Sequence, residues 1–145
     1  MSEGEALQLI DLVMHHQTPR GLLHAVDGVS LRIGTGETLG LVGESGCGKS
    51  TLARCVVGLN APQAGQIMLG GREASLERSD RMNRARLVQM IFQDPMSSLN
   101  PRLTIRQIIE QPLSVHRVGA RRERRARALQ LMQAVGLGAH HLDKF

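Results

Sequence analysis

Eight residues, Gly43-Glu44-Ser45-Gly46-Cys47-Gly48-Lys49-Ser50, constrain this chain more than any other stretch. They fill the pattern G-x-x-x-x-G-K-[ST] completely, and the flanks supply the setting that pattern needs. Thr38 to Val42 is a short apolar run of the type buried in a parallel sheet, and Lys49 to Gly58 predicts a helix. Glycines at 43, 46 and 48 let the backbone curl tightly with no Cβ in the way of a phosphate, so successive N–H groups point inward. The helix that follows adds unpaired N–H groups and the positive end of its dipole. Glu44, Ser45 and Cys47 belong to the cradle through their backbone. Lys49 can reach the β- and γ-phosphates, the Ser50 hydroxyl is placed to ligate Mg²⁺, and Thr51 can bond the α-phosphate region. The chain has 16 Arg but only two Lys, Lys49 and Lys144. A sequence that otherwise uses Arg keeps Lys where a compact charge must fit among phosphates. Nucleotide binding is the expectation.

The rest of the 145 residues arrange themselves around that loop. Leu7 to Val13 and Ala25 to Ile33 predict strands, with Thr18-Pro19-Arg20-Gly21 as a turn in the loop His15–Leu23. Pro62 to Gly65 breaks the chain, Gln66 to Leu69 predicts a short strand, and residues 72–86 are polar and irregular to helical. Leu87 to Phe92 is apolar and β-branched, the pattern of a second buried strand. Helices are expected over Ile105–Pro112 and Ala120–Val135, the latter basic and amphipathic with Ala128, Leu131/Met132 and Val135 as its apolar stripe. Residues 1–94 hold nine Lys/Arg and ten Asp/Glu, whereas 95–145 hold nine and three, so the net charge of +5 resides in the last third. Composition therefore places a boundary near residue 94, between a nucleotide-binding core with an antiparallel β flap (1–94) and the opening of a helical subdomain (95–145).

Composition also closes off several functions. Two Phe, no Tyr and no Trp leave no aromatic platform for stacked bases. The arginine run Arg121, Arg122, Arg124, Arg125 and Arg127 would support a nucleic-acid-linked ATPase, but the apolar stripe beside it favours the solvated face of a packed helix, and no nucleic-acid partner is expected. No stretch approaches the roughly 18 apolar residues that span a bilayer. Acids near the N-terminus, where a secretory signal would carry Lys or Arg, point to the cytosol. Cys47 and Cys55 match no metal spacing and are expected to be free thiols. His24, His116, His140 and His141 are expected on the surface, with no metal.

A GTPase would show an effector Thr and a D-x-x-G after the loop, and none lies between Thr51 and Phe145. The chain instead returns through Val88-Gln89-Met90-Ile91-Phe92-Gln93-Asp94-Pro95. Together with Ala25-Val26-Asp27-Gly28-Val29-Ser30-Leu31, Gly36 to Thr51, and Ser97-Ser98-Leu99-Asn100-Pro101-Arg102, these residues resemble the ATP-binding subunits of ABC transporters, within the subfamily serving dipeptide, oligopeptide and nickel importers. The resemblance covers residues 7–145.

That resemblance implies an α/β P-loop NTPase fold of the ABC nucleotide-binding type, with a β-rich flap and the start of a helical subdomain. It implies ATP and Mg²⁺ as ligands and makes Gln93 the glutamine that touches Mg²⁺ or the attacking water. It places transmembrane permease subunits against Gln93–Arg102, a second ATP-binding subunit across the nucleotide, and a substrate-binding protein further off. The location it implies is the cytoplasmic face of the inner membrane, peripherally. Where the family stacks an aromatic ring on adenine, the first strand brings His16, or alternatively His15. The family's L-S-G-G-Q loop, Mg²⁺-binding acidic strand, catalytic Glu and switch His would all lie beyond Phe145. The chain is therefore expected to be the N-terminal part of a longer subunit, binding nucleotide without hydrolysing it. A noncatalytic nucleotide-binding protein is the alternative.

Overall fold

Alternating apolar residues from Leu7 onward carry two long strands, β1 (Glu5–Thr18) and β2 (Gly21–Gly34), which pair antiparallel around a tight turn at Pro19 and Arg20. The computed structural model describes residues 4–75, 80–94 and 98–144. The hairpin is longer than the sequence suggests: His15, His16 and Gln17 continue β1 opposite His24, Leu23 and Leu22, where a loop is expected. Cross-strand pairing satisfies these backbone groups, which overrides the weak polar pattern of the segment. β3 (Ala64–Leu69) joins the other edge of β1, and β4 (Arg72–Glu73) follows it through Gly70-Gly71, giving the order β2-β1-β3-β4. Every strand pair among the described residues is antiparallel.

The β1–β2 ladder is repeatedly interrupted. Leu9 pairs with Leu31 but Leu12 with Val29, so β1 carries an extra residue between them. Asp11 takes it up with a positive φ of 45°. Its N–H donates to Ser30 Oγ at 2.8 Å, and that hydroxyl donates back to the Asp11 carboxylate at 3.0 Å. A second shift lies between Met14, opposite Val26, and His15, opposite His24, leaving Ala25 as the extra residue of β2.

Helix α1 (Lys49–Val56) covers one face of this sheet with Leu52 and Cys55, which join Leu9, Leu12, Val26, Ile67 and Leu69 in the core of the first unit, Met1–Met90. Each such side chain contributes about 1.5–3 kcal/mol through burial. α2 (Arg81–Leu87) brings Arg84 against the far end of α1. Arg84 is only 4% exposed; it donates from Nε to the Val56 carbonyl at 3.0 Å and from an Nη to the same oxygen at 2.8 Å, with a further bond to the Cys55 carbonyl. The Val56 carbonyl at the helix end is thus met by a guanidinium from another element, which also shares the Cys55 carbonyl with the Gly58 N–H. Burial works against the Arg84 charge and raises the pKa of the Cys55 thiol beside it.

Two expected strands are not strands. Residues 38–42 and 88–92 form no ladder bonds, and their apolar side chains are partly open, Val42 being 91% and Ile91 95% exposed. An apolar run becomes a buried strand only when neighbours run along it to pair its N–H and C=O groups. No strand among the described residues pairs with either segment. Leu39, Leu41, Val88 and Met90 instead line a cavity of about 240 Å³ against Leu52 and Val56.

The second unit, Ile91–Phe145, is helical. α3 (Ile105–Val115) opens with a capping box: Gln107 N–H donates to Thr104 Oγ1 at 3.3 Å, and Thr104 N–H donates to Gln107 Oε1 at 2.8 Å. Its first N–H groups are met from the end of the chain, Ile105 by the Lys144 carbonyl and Arg106 by that of Leu142, both at 2.9 Å. α4 (Arg121–Ala134) packs on it through Ala128 and Met132, with Leu142, Ile105 and Ile109 completing the core. The stripe expected at Leu131 and Val135 is corrected here: Leu131 and Val135 are exposed, and the buried pair is Ala128 and Met132, four residues apart.

Candidate functional site

The loop expected to hold phosphate sits between the exposed run 38–42 and α1, and its geometry follows from three glycines. Gly43, Gly46 and Gly48 take φ of 157°, 84° and 93°. At Gly48 the demand is strongest. This residue is the left-handed N-cap of α1, and a Cβ on it would collide with the Ala25 carbonyl oxygen of β2. Only glycine meets both conditions. No side chain caps the first turn of α1, whose amide end opens into the loop.

Lys49 folds back over that opening. Its Nζ donates to the Gly43 carbonyl at 2.8 Å and to the Glu44 carbonyl, and lies 3.3 Å from Cys47 Sγ. The ammonium is therefore held inside the loop by three of its own residues, at the point where a bound phosphate would meet it. Donation to neutral carbonyls is weaker than donation to an anion, so a phosphate competes well for the same hydrogens. Ser45, Gly46, Cys47 and Ser50 are exposed along the rim, while Thr51 is half-buried. Cys47 and Cys55 are both free, the first open to solvent and the second in the core.

The other expected site residues are more dispersed. His16 lies on β1 opposite Leu23, half-buried, on the strand next to His15. Gln93 is exposed in an irregular stretch of the second unit, between Phe92 and Asp94. Asp94 accepts from Ser98 Oγ at 3.2 Å. Within Gln93–Arg102, Pro95, Met96 and Ser97 lie outside the described residues; Asn100 Oδ1 accepts from Arg102 N–H at 3.0 Å and shapes the turn that leads into α3.

One group of side chains escaped the sequence reading. His15, half-buried, His24 and Asp27 converge on the hairpin, the Asp27 carboxylate lying 3.3 Å from each imidazole. Spacing could not reveal it. Residues three apart on a strand face opposite ways, and His24 and Asp27 come together only through the extra residue at Ala25.

Comparison with known proteins places this geometry. The family model described as ABC transporter matches residues 26–145. The oligopeptide transport ATP-binding protein OppF of Bacillus subtilis is 42% identical over 142 residues, covering 96% of this chain and 47% of the relative. The dipeptide transport ATP-binding protein DppF of Escherichia coli is 38% identical over 147 residues, covering 96% of this chain and 44% of the relative. The chain thus spans about half the length of the curated relatives it matches. Among solved structures, an ATP-binding cassette captured as a dimer after hydrolysis, with ADP and Pi bound, superposes with a TM-score of 0.78 at 25% identity, over 95% of this chain and 60% of that one. A Clostridium perfringens protein that is part of an ABC transporter complex gives 0.73 at 26% identity, over 98% of this chain and 54% of that one.

Proposed function

The chain belongs to the ABC transporter family, and on that premise we propose that it is the ATP-binding part of a subunit that energises import of peptides, or of nickel, across the cytoplasmic membrane. The observation that carries the proposal is the loop 43–51, with its uncapped helix end and the Lys49 ammonium lodged in it. In this reading the loop N–H groups and Lys49 hold the phosphates of ATP. Moving Lys49 from carbonyl to phosphate oxygens trades hydrogen bonds to neutral acceptors for an ion pair, whose Coulomb attraction is about 4 kcal/mol at 4 Å in an effective dielectric of 20. By the family resemblance, Ser50 and Gln93 would each offer Mg²⁺ a neutral oxygen ligand, which suits a hard cation. Mg²⁺, when bound, neutralises charge on the phosphates. His16, or alternatively His15, would stack on adenine.

The same reading assigns residues 1–94 to the nucleotide-binding core with its flap and 95–145 to the opening of a helical subdomain. The region Gln93–Arg102 would face the permease subunits, a second ATP-binding subunit would close over the nucleotide, and a substrate-binding protein would deliver the cargo. A peripheral position on the cytoplasmic face belongs to the same reading. No helix among the described residues is long and apolar enough to cross a membrane. Binding without turnover is the outcome expected in this reading.

Calorimetric titration of Mg²⁺-ATP into the chain and into Lys49→Ala, with phosphate release followed in parallel, tests this. Binding that Lys49→Ala abolishes supports the proposal. Equal binding by both would remove the loop from the site, and phosphate release would mean that one of the carboxylates present is the base.

A further inference from the structure

The hairpin carries a second candidate site, in three side chains of which the nucleotide reading invokes only His15, as the alternative to His16. His15 Nε2 lies 3.3 Å from Asp27 Oδ1, His24 Nδ1 lies 3.3 Å from Asp27 Oδ2, and the two imidazole centroids are 4.0 Å apart. One ligand atom from each of the three residues falls within 4.8 Å of the others. We propose that His15, His24 and Asp27 bind a divalent transition-metal ion of the zinc type.

The distances favour that class. Four-coordinate zinc holds imidazole nitrogen and carboxylate oxygen at about 2.0–2.2 Å, which sets neighbouring ligand atoms about 3.3–3.5 Å apart. Each imidazole stands at that separation from one Asp27 oxygen, His15 from Oδ1 and His24 from Oδ2, so a small turn of the carboxylate brings a single oxygen to both. Two imidazoles and one carboxylate are borderline donors, which suit zinc, cobalt or nickel better than magnesium or calcium. Three protein ligands leave the fourth position to water or an incoming group.

The backbone holds the group in place. His15 and His24 are cross-strand partners, so their side chains leave the same face of the hairpin side by side. The extra residue at Ala25 returns Asp27 to that face. Gln63 fixes the strand at His15 from both sides: its Oε1 accepts from the His15 N–H, and its Nε2 donates to the His15 carbonyl at 3.0 Å. His24 and Asp27 are exposed, which gives an ion a route in and lets either be replaced without disturbing the core.

Zn²⁺ titrated into the full chain without nucleotide, followed by Co²⁺ as a spectroscopic probe, tests the proposal. The expected result is one equivalent bound with the intense visible bands of four-coordinate Co²⁺. His24→Ala and Asp27→Asn should each weaken Zn²⁺ binding at least tenfold with an unchanged circular dichroism spectrum. The double variant His140→Ala/His141→Ala, which removes the other adjacent imidazole pair, should bind as the parent does. Absence of stoichiometric binding would overturn the proposal. So would affinity unaltered by His24→Ala and Asp27→Asn, or a sulfur-to-cobalt charge-transfer band that moved the ion to Cys47. Because no nucleotide is present, failure here leaves the ATP-binding proposal standing, and failure of ATP binding leaves this one.

Discussion

The Lys49 ammonium donates to the carbonyl oxygen of Gly43 at 2.8 Å, so the last charged residue of the loop closes onto its first. The contact keeps the loop curled before any nucleotide arrives and keeps the positive charge at its centre. It depends on a compact head group, because Nζ also has to meet the Glu44 carbonyl and Cys47 Sγ within the same curl. Lys49→Arg retains the charge but replaces a point donor with a broad planar fork. We expect Mg²⁺-ATP affinity to fall about tenfold or more, read by calorimetry. Affinity kept within a factor of two would show that charge alone suffices.

Gly48→Ala should be far costlier than alanine at a glycine that has room. At Gly48 the left-handed backbone costs about 1–3 kcal/mol for a residue with a Cβ, and the Ala25 carbonyl must also move aside. Gly36 has φ 78° but nothing within reach of a Cβ, so Gly36→Ala incurs only the backbone cost. Urea denaturation should rank the two clearly, and nucleotide binding should weaken only in Gly48→Ala. Equal midpoints would contradict the packing of the loop on β2.

The two cysteines should react very differently. Cys47 is open, whereas Cys55 is buried and its thiol pKa is raised by that burial, the Arg84 charge opposing the effect. Maleimide labelling followed by mass spectrometry should modify Cys47 at least about tenfold faster, since the thiolate is the nucleophile. The sign of the pH effect follows. With its pKa higher folded than unfolded, Cys55 contributes stability below the unfolded value of about 8.5 and loses it as pH rises through the folded value. Stability should therefore fall with pH above about 8.5, and less steeply in Cys55→Ala. A parallel decline in both would assign the loss elsewhere.

Arg84→Met keeps an apolar stem but leaves the Val56 carbonyl without its guanidinium donors and the Cys55 carbonyl with the Gly58 N–H alone. An unpaired buried carbonyl costs about 1–3 kcal/mol, so a loss of about 1–3 kcal/mol is expected. Amide exchange should accelerate first in the last turn of α1. Unchanged protection there would mean that water replaces the guanidinium at no loss.

In the helical unit, Met132→Ala removes a fully buried side chain and should cost about 2–4 kcal/mol. Leu131→Ala, one residue earlier and exposed, should cost under about 1 kcal/mol. Thermal unfolding of both variants checks the assignment of the packed face. Similar losses would return Leu131 to the stripe.

Where α1 begins, how its preceding loop curls and which residue carries the charge were all legible in residues 43–51, because those features are local. Glycine conformations, a helix start and the reach of one lysine depend on neighbours within a few positions. The capping box at Thr104 and Gln107 is as local, and the spacing T-x-x-Q is a readable signal of it. Packing of α4 by one side was also legible, but its periodicity fitted both Leu131 and Met132. Only the position of α3 and Leu142 decided between them.

Other features needed partners far along the chain. The apolar runs at 38–42 and 88–92 carry the composition of buried strands, but a strand exists through bonds to its neighbours, and hydrophobicity alone does not provide them. The run 15–18 has a poor strand pattern and is a strand nevertheless, because residues 21–24 return beside it. The meeting of His15, His24 and Asp27 turns on one extra residue in a ladder, which reverses the facing of everything beyond it. Sequence by itself determined the curl of the loop 43–51, whose hydrogen bonds span fewer than ten residues, although Gly48 also packs on Ala25 of β2. Tertiary structure alone decided how far the strands run, which apolar runs fail to become strands, and the histidine cluster, since register is set by pairing between segments and leaves no mark on either segment by itself.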